Sequence, residues 1–220
     1  RRAAALQCGW KMRDWCAWKT AQNVIDGAEV RYFFSAHITL GKVAALDGYI
    51  RLHTTLTAKL WDLDEIFWDI FNLSENKERP TGLRGNGAFA VKGPDLLWAP
   101  IESKLLPTEE NLQSVCAELI AKMETAIADF MAQRWTVWNF EEFVHSEVER
   151  LPAWQQKDHN PHRGDTMLCL MLLAILQGDC SKALSLAEEE MALGYMGMYS
   201  ADRKYIYQYV SDYCKSNLNV

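Results

Sequence analysis

The chain of 220 residues contains no long hydrophobic run. A transmembrane helix needs roughly 18 or more consecutive apolar residues, and the apolar stretch at residues 167–176 is about half that length. The apolar segment near the start ends at Gln7, which makes it too short for the hydrophobic region of a signal peptide. We therefore expect neither a membrane span nor a secretory signal.

The motifs that mark common catalytic and cofactor sites are also missing. The sequence has no C-x-x-C or H-E-x-x-H pattern, no G-x-S-x-G elbow, and no glycine-rich loop that ends in Gly-Lys-Ser or Gly-Lys-Thr. Each of these patterns holds a metal, a nucleophile or a phosphate in a defined geometry. We therefore predict no catalytic residues, no cofactor and no enzymatic activity.

Positive charge is the third deficit. The chain has 23 Lys and Arg residues against 29 Asp and Glu residues, which gives a formal net charge of −6. Nucleic acids and anionic membranes are bound by clustered basic residues, so we expect neither as a partner. An acidic chain suits a cytoplasmic protein, or one whose protein partner is basic.

The six cysteines have no spacing typical of a small disulfide framework. They are Cys8, Cys16, Cys116, Cys169, Cys180 and Cys214, and most of them have apolar neighbours in the sequence. A chain of this length buries enough apolar surface to fold without disulfides. We interpret the cysteines as reduced, mostly buried thiols of a cytoplasmic protein.

Residues 30–60 are rich in aromatic and β-branched side chains and predict a long hairpin. Residues 30–40 form one run, and residues 49–60 form the second run after a loop that contains two glycines. Alternate residues of the second run share one face, namely Ile50, Leu52, Thr54 and Leu56. This period of two predicts antiparallel strands with one buried face, which neighbouring elements must cover.

The segments on either side of this hairpin predict shorter elements. Residues 10–20 indicate one or two short strands, and Asn23, Asp26 and Gly27 indicate a short connector that leads into the hairpin. Residues 62–73 have apolar residues at helical spacing behind an acidic first turn, and they predict a helix that covers the hairpin.

After residue 106 the periodicity is helical. Apolar residues recur at intervals of three and four, and they predict helices over residues 108–131, 140–151, 181–193 and 200–215, with one more starting near residue 165. Segregated strands and helices favour an α+β fold, in which an N-terminal antiparallel sheet with covering helices precedes an all-helical C-terminal part. We predict domains at residues 1–106 and 107–220, the second being a helical domain or a helical extension of the same core.

One cluster of potential metal ligands comprises His145, Asp158, His159, His162 and Asp165. Imidazoles with a carboxylate suit a first-row metal, so a metal-dependent hydrolase that uses the loop of His159 and His162 is one alternative function. Pro161 lies between these histidines and disfavours a shared helix face. We therefore favour a polar loop in which Asp165 caps the next helix, and we predict no metal site.

Acidic residues and tryptophans are interleaved in the helix predicted after the hairpin. The set comprises Trp61, Asp62, Asp64, Glu65, Trp68 and Asp69. A helix dipole favours carboxylates in the first turn, but two tryptophans beside four acids exceed what a core-covering helix requires. Trp68 lies one position off the apolar stripe, so we expect part of its ring to be accessible. We predict that this set binds a protein partner.

The first hundred or so residues have a distinctive order of elements. A helix that ends at Cys8 and Gly9 is followed by Trp-rich strands, then by the segment Ile38-Thr39-Leu40-Gly41 and a helix. This order resembles a broad family of small bacterial domains of unknown function that occur among the immunity proteins of toxin systems. The resemblance covers under half of the chain. It implies a cytoplasmic, acidic inhibitor that binds a cognate toxin, so we expect a protein that occludes the active site of a basic toxin domain.

A second resemblance concerns residues 178–194. Residues 183–189 read Ala-Leu-Ser-Leu-Ala-Glu-Glu and are similar to one helix of a tetratricopeptide hairpin. A tetratricopeptide array needs several repeats at a period of about 34 residues, and no such repeat spans the chain. A tetratricopeptide-like helical adaptor is the other alternative to the inhibitor, on the similarity of this one helix alone.

Overall fold

The structure is a computed structural model that describes residues 8–13, 16–42, 50–78, 93–103, 109–150, 161–197 and 199–218. The strands in these ranges are β1 (Lys11–Arg13), β2 (Cys16–Ile25), β3 (Ala28–Lys42), β4 (Ile50–Leu60), β5 (Asp95–Ser103), β6 (Ser200–Ala201) and β7 (Lys204–Tyr205). The helices are α1 (Trp61–Ile70), α2 (Glu109–Ala132), α3 (Val137–Arg150), α4 (Pro161–Leu176), α5 (Cys180–Ala192) and α6 (Ile206–Leu218), with a 3-10 turn at Ser74–Glu78. This order confirms the predicted α+β class, because an N-terminal sheet precedes a helical C-terminal part.

Strands β1 to β5 form one antiparallel sheet in the order in which they occur in the chain. β3 and β4 are neighbours in this sheet, which confirms the predicted hairpin; the residues that join them, 43–49, lie outside the described ranges. Along β4, Leu52, Thr54 and Leu56 are buried, and the residues between them are half-buried. The predicted period of two is therefore correct and identifies the face of β4 that belongs to the core.

The turn between β2 and β3 is tighter than predicted. β2 continues through Asn23 to Ile25, and Ile25 pairs directly with Ala28, so the prediction of a connector containing Asn23 is wrong. Asp26 and Gly27 have φ angles of 52° and 83°. A two-residue hairpin turn of this kind needs positive φ at both central positions, and Asp-Gly is among the pairs that adopt it most readily.

Helix α2 packs against this sheet. The ring of Phe130 meets Tyr32 and Phe34 edge-on, with centroids 5.4 and 5.7 Å apart. Further back along the helix, Glu124 accepts hydrogen bonds from Lys19 Nζ at 2.9 Å on both of its carboxylate oxygens. Aromatic packing and a charged hydrogen bond therefore attach α2 to the strands.

The other helices pack around α4. Residues 167–175 of this helix are all buried, and α4 contacts α1, α3, α5 and α6. A helix that is apolar on every side needs neighbours on every side, which explains the hydrophobic run seen in the sequence. No helix within the described ranges has the length and apolar character that a membrane crossing requires.

The chain forms two compact units that divide it differently from the predicted boundary at residue 106. The first comprises Arg1–Lys59 and Pro94–Arg134, and the second comprises Leu60–Gly93 and Trp135–Val220. α2 belongs to the unit of the sheet because its Phe130 packs on the strands. α1 belongs to the helical unit because it packs on α4.

Candidate functional site

The acidic and aromatic set predicted on α1 has its tryptophans inside the protein. Trp61 and Trp68 are 6% and 0% exposed, and their rings meet edge-on with centroids 5.7 Å apart. The prediction that part of the Trp68 ring is accessible is therefore wrong. The physical reason is that α1 is buried along two stripes, one through Leu63 and Phe67 and the other through the two tryptophans.

Three carboxylates of that set also face inward or bond to neighbouring side chains. Asp64 is fully buried. Glu65 accepts a hydrogen bond from Trp61 Nε1 at 2.9 Å, and Asp69 accepts hydrogen bonds at 3.1 and 2.5 Å from side chains in the turn Ser74–Glu78. Partner binding by the set of Trp61, Asp62, Asp64, Glu65, Trp68 and Asp69 stays a prediction, but its proposed aromatic anchors are not at the surface.

The cluster of potential metal ligands falls partly outside the described residues. Asp158 and His159 lie outside them, whereas α4 begins at Pro161 and so includes positions 162 and 165. The prediction that Asp165 caps this helix is wrong, because proline is favoured in the first turn, where its missing N–H breaks no intrahelical hydrogen bond. Among the side chains that the structure describes, no three His, Cys, Asp or Glu groups are placed to hold a metal ion.

Helix α3 begins with two local contacts that fix its start. The backbone N–H and the hydroxyl of Thr136 both donate to Asn139 Oδ1 at 2.9 Å, and the Thr136 carbonyl accepts from the N–H of Phe140 at 3.2 Å. One residue earlier, Trp135 packs edge-on against Phe140, with centroids 5.2 Å apart. The ring contact between Trp135 and Phe140 is a hydrophobic staple, since it joins the residue before the cap to the fourth residue of the helix.

This start turns Trp138 outward. Its side chain is 64% exposed, and among the tryptophans whose side chains the structure describes it alone is classed as exposed. Glu142, His145 and Glu149 follow it at intervals of four, three and four residues and are exposed as well. These intervals place all four side chains on one side of the helix. We call these four residues the Trp138 face.

Behind the Trp138 face, Glu141 attaches α3 to the next two helices. Its carboxylate accepts hydrogen bonds from Gln177 Nε2, just after α4, at 2.7 Å and from Lys182 Nζ, in the first turn of α5, at 2.5 Å. His145 Nε2 lies 3.8 Å from the same carboxylate. Burial raises the pKa of Glu141, but the two hydrogen bonds and the charges on Lys182 and His145 outweigh it and hold that pKa below its ordinary value.

The Trp138 face has the physical properties of a recognition surface. An exposed indole offers a large apolar area on a side chain with few rotatable bonds, and Glu142 and Glu149 add negative charge beside it. The staple and the hydrogen bonds of Glu141 hold the helix in place. An exposed side chain that is already ordered loses less conformational entropy when it becomes buried, so we take the Trp138 face as the candidate site.

The sequence contains a signal for this face that hydrophobic periodicity does not register. Periodicity alone predicts the helix over residues 140–151 and leaves Trp138 in the preceding loop. Thr136 followed three residues later by Asn139 is a start signal of the capping type, and it extends the helix back to Val137. With that start, Trp138 falls on the polar side of the helix.

Comparisons with known proteins add no assignment. No protein-family model, no curated protein and no solved structure matches the chain. The resemblance to immunity proteins therefore stays a prediction, and function rests on the geometry of the chain's own residues.

Proposed function

We propose that this chain is a cytoplasmic, non-enzymatic binding protein of the immunity type, which inhibits a basic toxin domain by covering its active site. The observation that carries the proposal is Trp138, 64% exposed at a capped helix start beside two exposed carboxylates. Burying an indole is favourable, so a tryptophan held at the surface is available to a partner. The six free thiols suit the cytoplasm, where thiols are kept reduced.

Charge supports a basic partner. The whole chain has a formal net charge of −6, and the exposed acids Glu142 and Glu149 stand on the same side of α3 as Trp138. Complementary charge steers the encounter of two proteins and disfavours acidic competitors. Interface cores are enriched in tryptophan and surrounded by polar groups, which is the arrangement of the Trp138 face.

The proposed mechanism is occlusion. The indole of Trp138 would fill an apolar recess beside the active site of the partner, and Glu142 and Glu149 would pair with Lys or Arg side chains that bind a negatively charged substrate. The carboxylates of the inhibitor would thus occupy the basic side chains that otherwise bind the substrate. Inhibition would need no chemical reaction. Affinity would come mainly from the aromatic anchor, and the rate of association mainly from the carboxylates.

The test uses a toxin encoded next to this gene, expressed with and without this chain. The wild-type chain should protect cells and bind the toxin domain in calorimetry. Trp138→Ala should weaken binding by about 30-fold, which corresponds to about 2 kcal/mol for an aromatic anchor. The matched control is Leu193→Ala: Leu193 is 65% exposed in the same unit but lies off α3, and its loss should change affinity by less than about twofold.

A charge variant separates the effect of the carboxylates on the association rate from the effect of Trp138 on affinity. Replacing Glu142 and Glu149 together by Lys should slow association by about tenfold and remove most of its dependence on salt concentration, with a smaller effect on dissociation. Equal affinities of Trp138→Ala and wild type would remove the Trp138 face from the proposal. Failure of the wild-type chain to bind or protect against the adjacent toxin would refute the immunity role itself.

A further inference from the structure

The outer edge of β2 is paired over only part of its length. β1 pairs with residues 16–18 of β2, and β2 continues to Ile25 before the turn at Asp26 and Gly27. Within the described residues, no strand pairs with this edge beyond Trp18. We call residues 20–25 the open β2 edge. Their outward backbone groups are available to another extended chain.

The register of β2 on β3 shows which backbone groups point outward. The two residues that flank the turn pair with each other, and in a two-residue hairpin such a pair is hydrogen-bonded. Bonded and non-bonded pairs alternate along antiparallel strands, so Thr20, Gln22 and Val24 direct their N–H and C=O groups away from β3. The N–H of Val24 accordingly donates to Asn23 Oδ1, at 3.0 Å, rather than to β3.

The side chains of the open β2 edge lack the features that keep sheet edges apart. Thr20, Gln22 and Val24 are exposed, Val24 at 63%. None of residues 20–25 is charged, and none is proline or glycine. Natural edge strands are commonly blocked by a charged side chain, a proline or a bulge. An incoming strand therefore meets no repulsive group here and has only the contact between Asn23 and Val24 to replace.

We propose that the open β2 edge is a self-association surface, at which β2 of a second copy of this chain pairs antiparallel about a two-fold axis beside Asn23. In this register Gln22 of each copy lies opposite Val24 of the other, and each such pair exchanges two backbone hydrogen bonds. A two-fold axis lets one edge serve both copies. The surface lies in the unit that contains the sheet, so the proposal is independent of the Trp138 face and of the proposed inhibitor function.

Charge and length favour a second copy as the occupant. Lys11 of β1 pairs with Trp18 and is exposed, and Asp26 in the turn is exposed as well. In the proposed register Asp26 of the second copy lies opposite Thr20, two residues or about 7 Å along the strand from Lys11. A lysine side chain reaches over that distance, so the symmetry brings two pairs of opposite charges together. The incoming strand also ends at its own turn before it meets β1.

The association should be weak and reversible. A strand pair of about six residues from each copy buries much less than the roughly 1,200–2,000 Å² of a standard stable interface. The N–H of Val24 exchanges one hydrogen bond for another, so its new bond contributes little net stability. We therefore expect a dissociation constant of about 100 µM for the dimer.

The experiment follows the mass of the full-length chain by sedimentation equilibrium between about 10 and 500 µM, a range that spans the expected dissociation constant. A salt concentration of about 0.15 M screens the net charge of −6 on each copy. The average mass should rise from that of one copy towards that of two. Amide hydrogen exchange measured by NMR should show that Gln22 and Val24 gain protection at the high concentration.

Gln22→Pro tests the backbone pairing directly. It removes an N–H that points away from β3, so it should weaken the dimer at least tenfold and leave β2 paired with β3. Gln22→Ala keeps the N–H and is the matched control, with an expected change below about twofold.

Val24→Lys places positive charges on both copies at the shared edge and should weaken the dimer to a similar extent. Leu218→Lys adds the same charge at a side chain that is 48% exposed in the other unit, and it should have little effect. Circular dichroism checks that each variant folds; if Gln22→Pro does not, Val24→Lys decides.

Three results would overturn the proposal. They are the mass of a single copy at every concentration, a dimer that persists in the folded edge variants, and exchange protection that maps outside residues 20–25. A chain that stays single but binds an unrelated extended peptide at this edge gives the first of these results, and the occupant would then be a different protein.

Discussion

Helices α1 and α3 contain the same kinds of residues, tryptophan beside several carboxylates, but they display them in opposite ways. In α1 the rings of Trp61 and Trp68 are buried against each other. In α3 the ring of Trp138 lies at the surface, and its exposed neighbours on the same side of the helix are polar. Composition therefore does not distinguish a helix that buries its tryptophans from one that exposes its tryptophan.

The difference follows from how many sides of each helix are covered. The buried residues of α1 are Trp61, Leu63, Asp64, Phe67, Trp68 and Ile70, six of its ten positions. Those of α3 are Phe140, Glu141 and Val144, three of fourteen. A helix with one buried stripe leaves its opposite side to solvent, whereas a helix packed on two sides buries even residues that lie off the main stripe.

The largest expected contrast between the two helices is in folding stability. Trp68→Ala removes a fully buried indole and its contact with Trp61, so it should lower the free energy of unfolding by about 3–5 kcal/mol. Trp138→Ala removes an exposed side chain and should change it by less than about 0.5 kcal/mol. Urea denaturation followed by circular dichroism measures both values. Equal losses would mean that Trp138 is as well packed as Trp68, and the comparison would fail.

A smaller contrast is expected between two adjacent acids of α3. Glu141→Ala leaves Gln177 and Lys182 without their shared acceptor. It should lower the free energy of unfolding by about 1–2 kcal/mol, because a hydrogen bond to a charged group contributes on that scale and the partly exposed Lys182 is screened by solvent. Glu142→Ala changes the exposed Trp138 face and should cost less than about 0.5 kcal/mol. A larger loss for the Glu142 variant would show that the inner and outer sides of α3 are wrongly assigned.

The Glu141 network also predicts a dependence of stability on pH. The pKa of Glu141 is lower in the folded protein than its ordinary value of 4.5, so the unfolded chain binds this proton more readily. The stabilisation is therefore complete above pH 4.5 and is lost as the pH falls through the folded pKa. The difference in unfolding free energy between wild type and Glu141→Gln should shrink in acid. A difference that is constant from neutral pH into acid would contradict this account.

The smallest expected effect is spectroscopic. An exposed indole emits at longer wavelength than a buried one and is quenched more readily by iodide. Trp138→Phe should therefore shift the emission of the folded protein to shorter wavelength and reduce quenching, whereas Trp61→Phe should do the opposite. Both substitutions keep an aromatic ring, so circular dichroism should confirm that each variant is folded. The same shift for both variants would show that the two sites do not differ in exposure.

Periodicity in the sequence predicted most of the elements. Alternation at Leu52, Thr54 and Leu56 predicted β4 and its buried face. Apolar residues at intervals of three and four predicted α2 to α6, because a helix that packs on a neighbour must present an apolar stripe. The predicted start of α6 at residue 200 is wrong, because residues 200–205 contain β6 and β7 and the helix begins at Ile206. Both signals come from residues a few positions apart, so they can be read without knowing the fold.

Most of the errors lie at the ends of elements and in the choice of packing partners. The prediction of mostly buried thiols is also wrong, because Cys169 and Cys214 are the two buried ones among the six. Pro161, the Asp26-Gly27 pair and Thr136 each mark an end through backbone geometry or a capping bond, which hydrophobic periodicity does not register. The candidate site failed for a related reason. The prediction for Trp68 counted one apolar stripe on α1, and nothing in the local sequence indicated that a second side of the helix is also covered.

The sequence by itself determined the α+β class, the hairpin of β3 and β4, the helical C-terminal part and the negative net charge, because composition and local spacing specify them. Only the tertiary structure decided that Trp138 rather than Trp68 faces solvent and that α2 joins the sheet. These outcomes depend on which surfaces of distant segments pack together. Spacing along the chain shows that a face is apolar, but it does not show which other segment covers it.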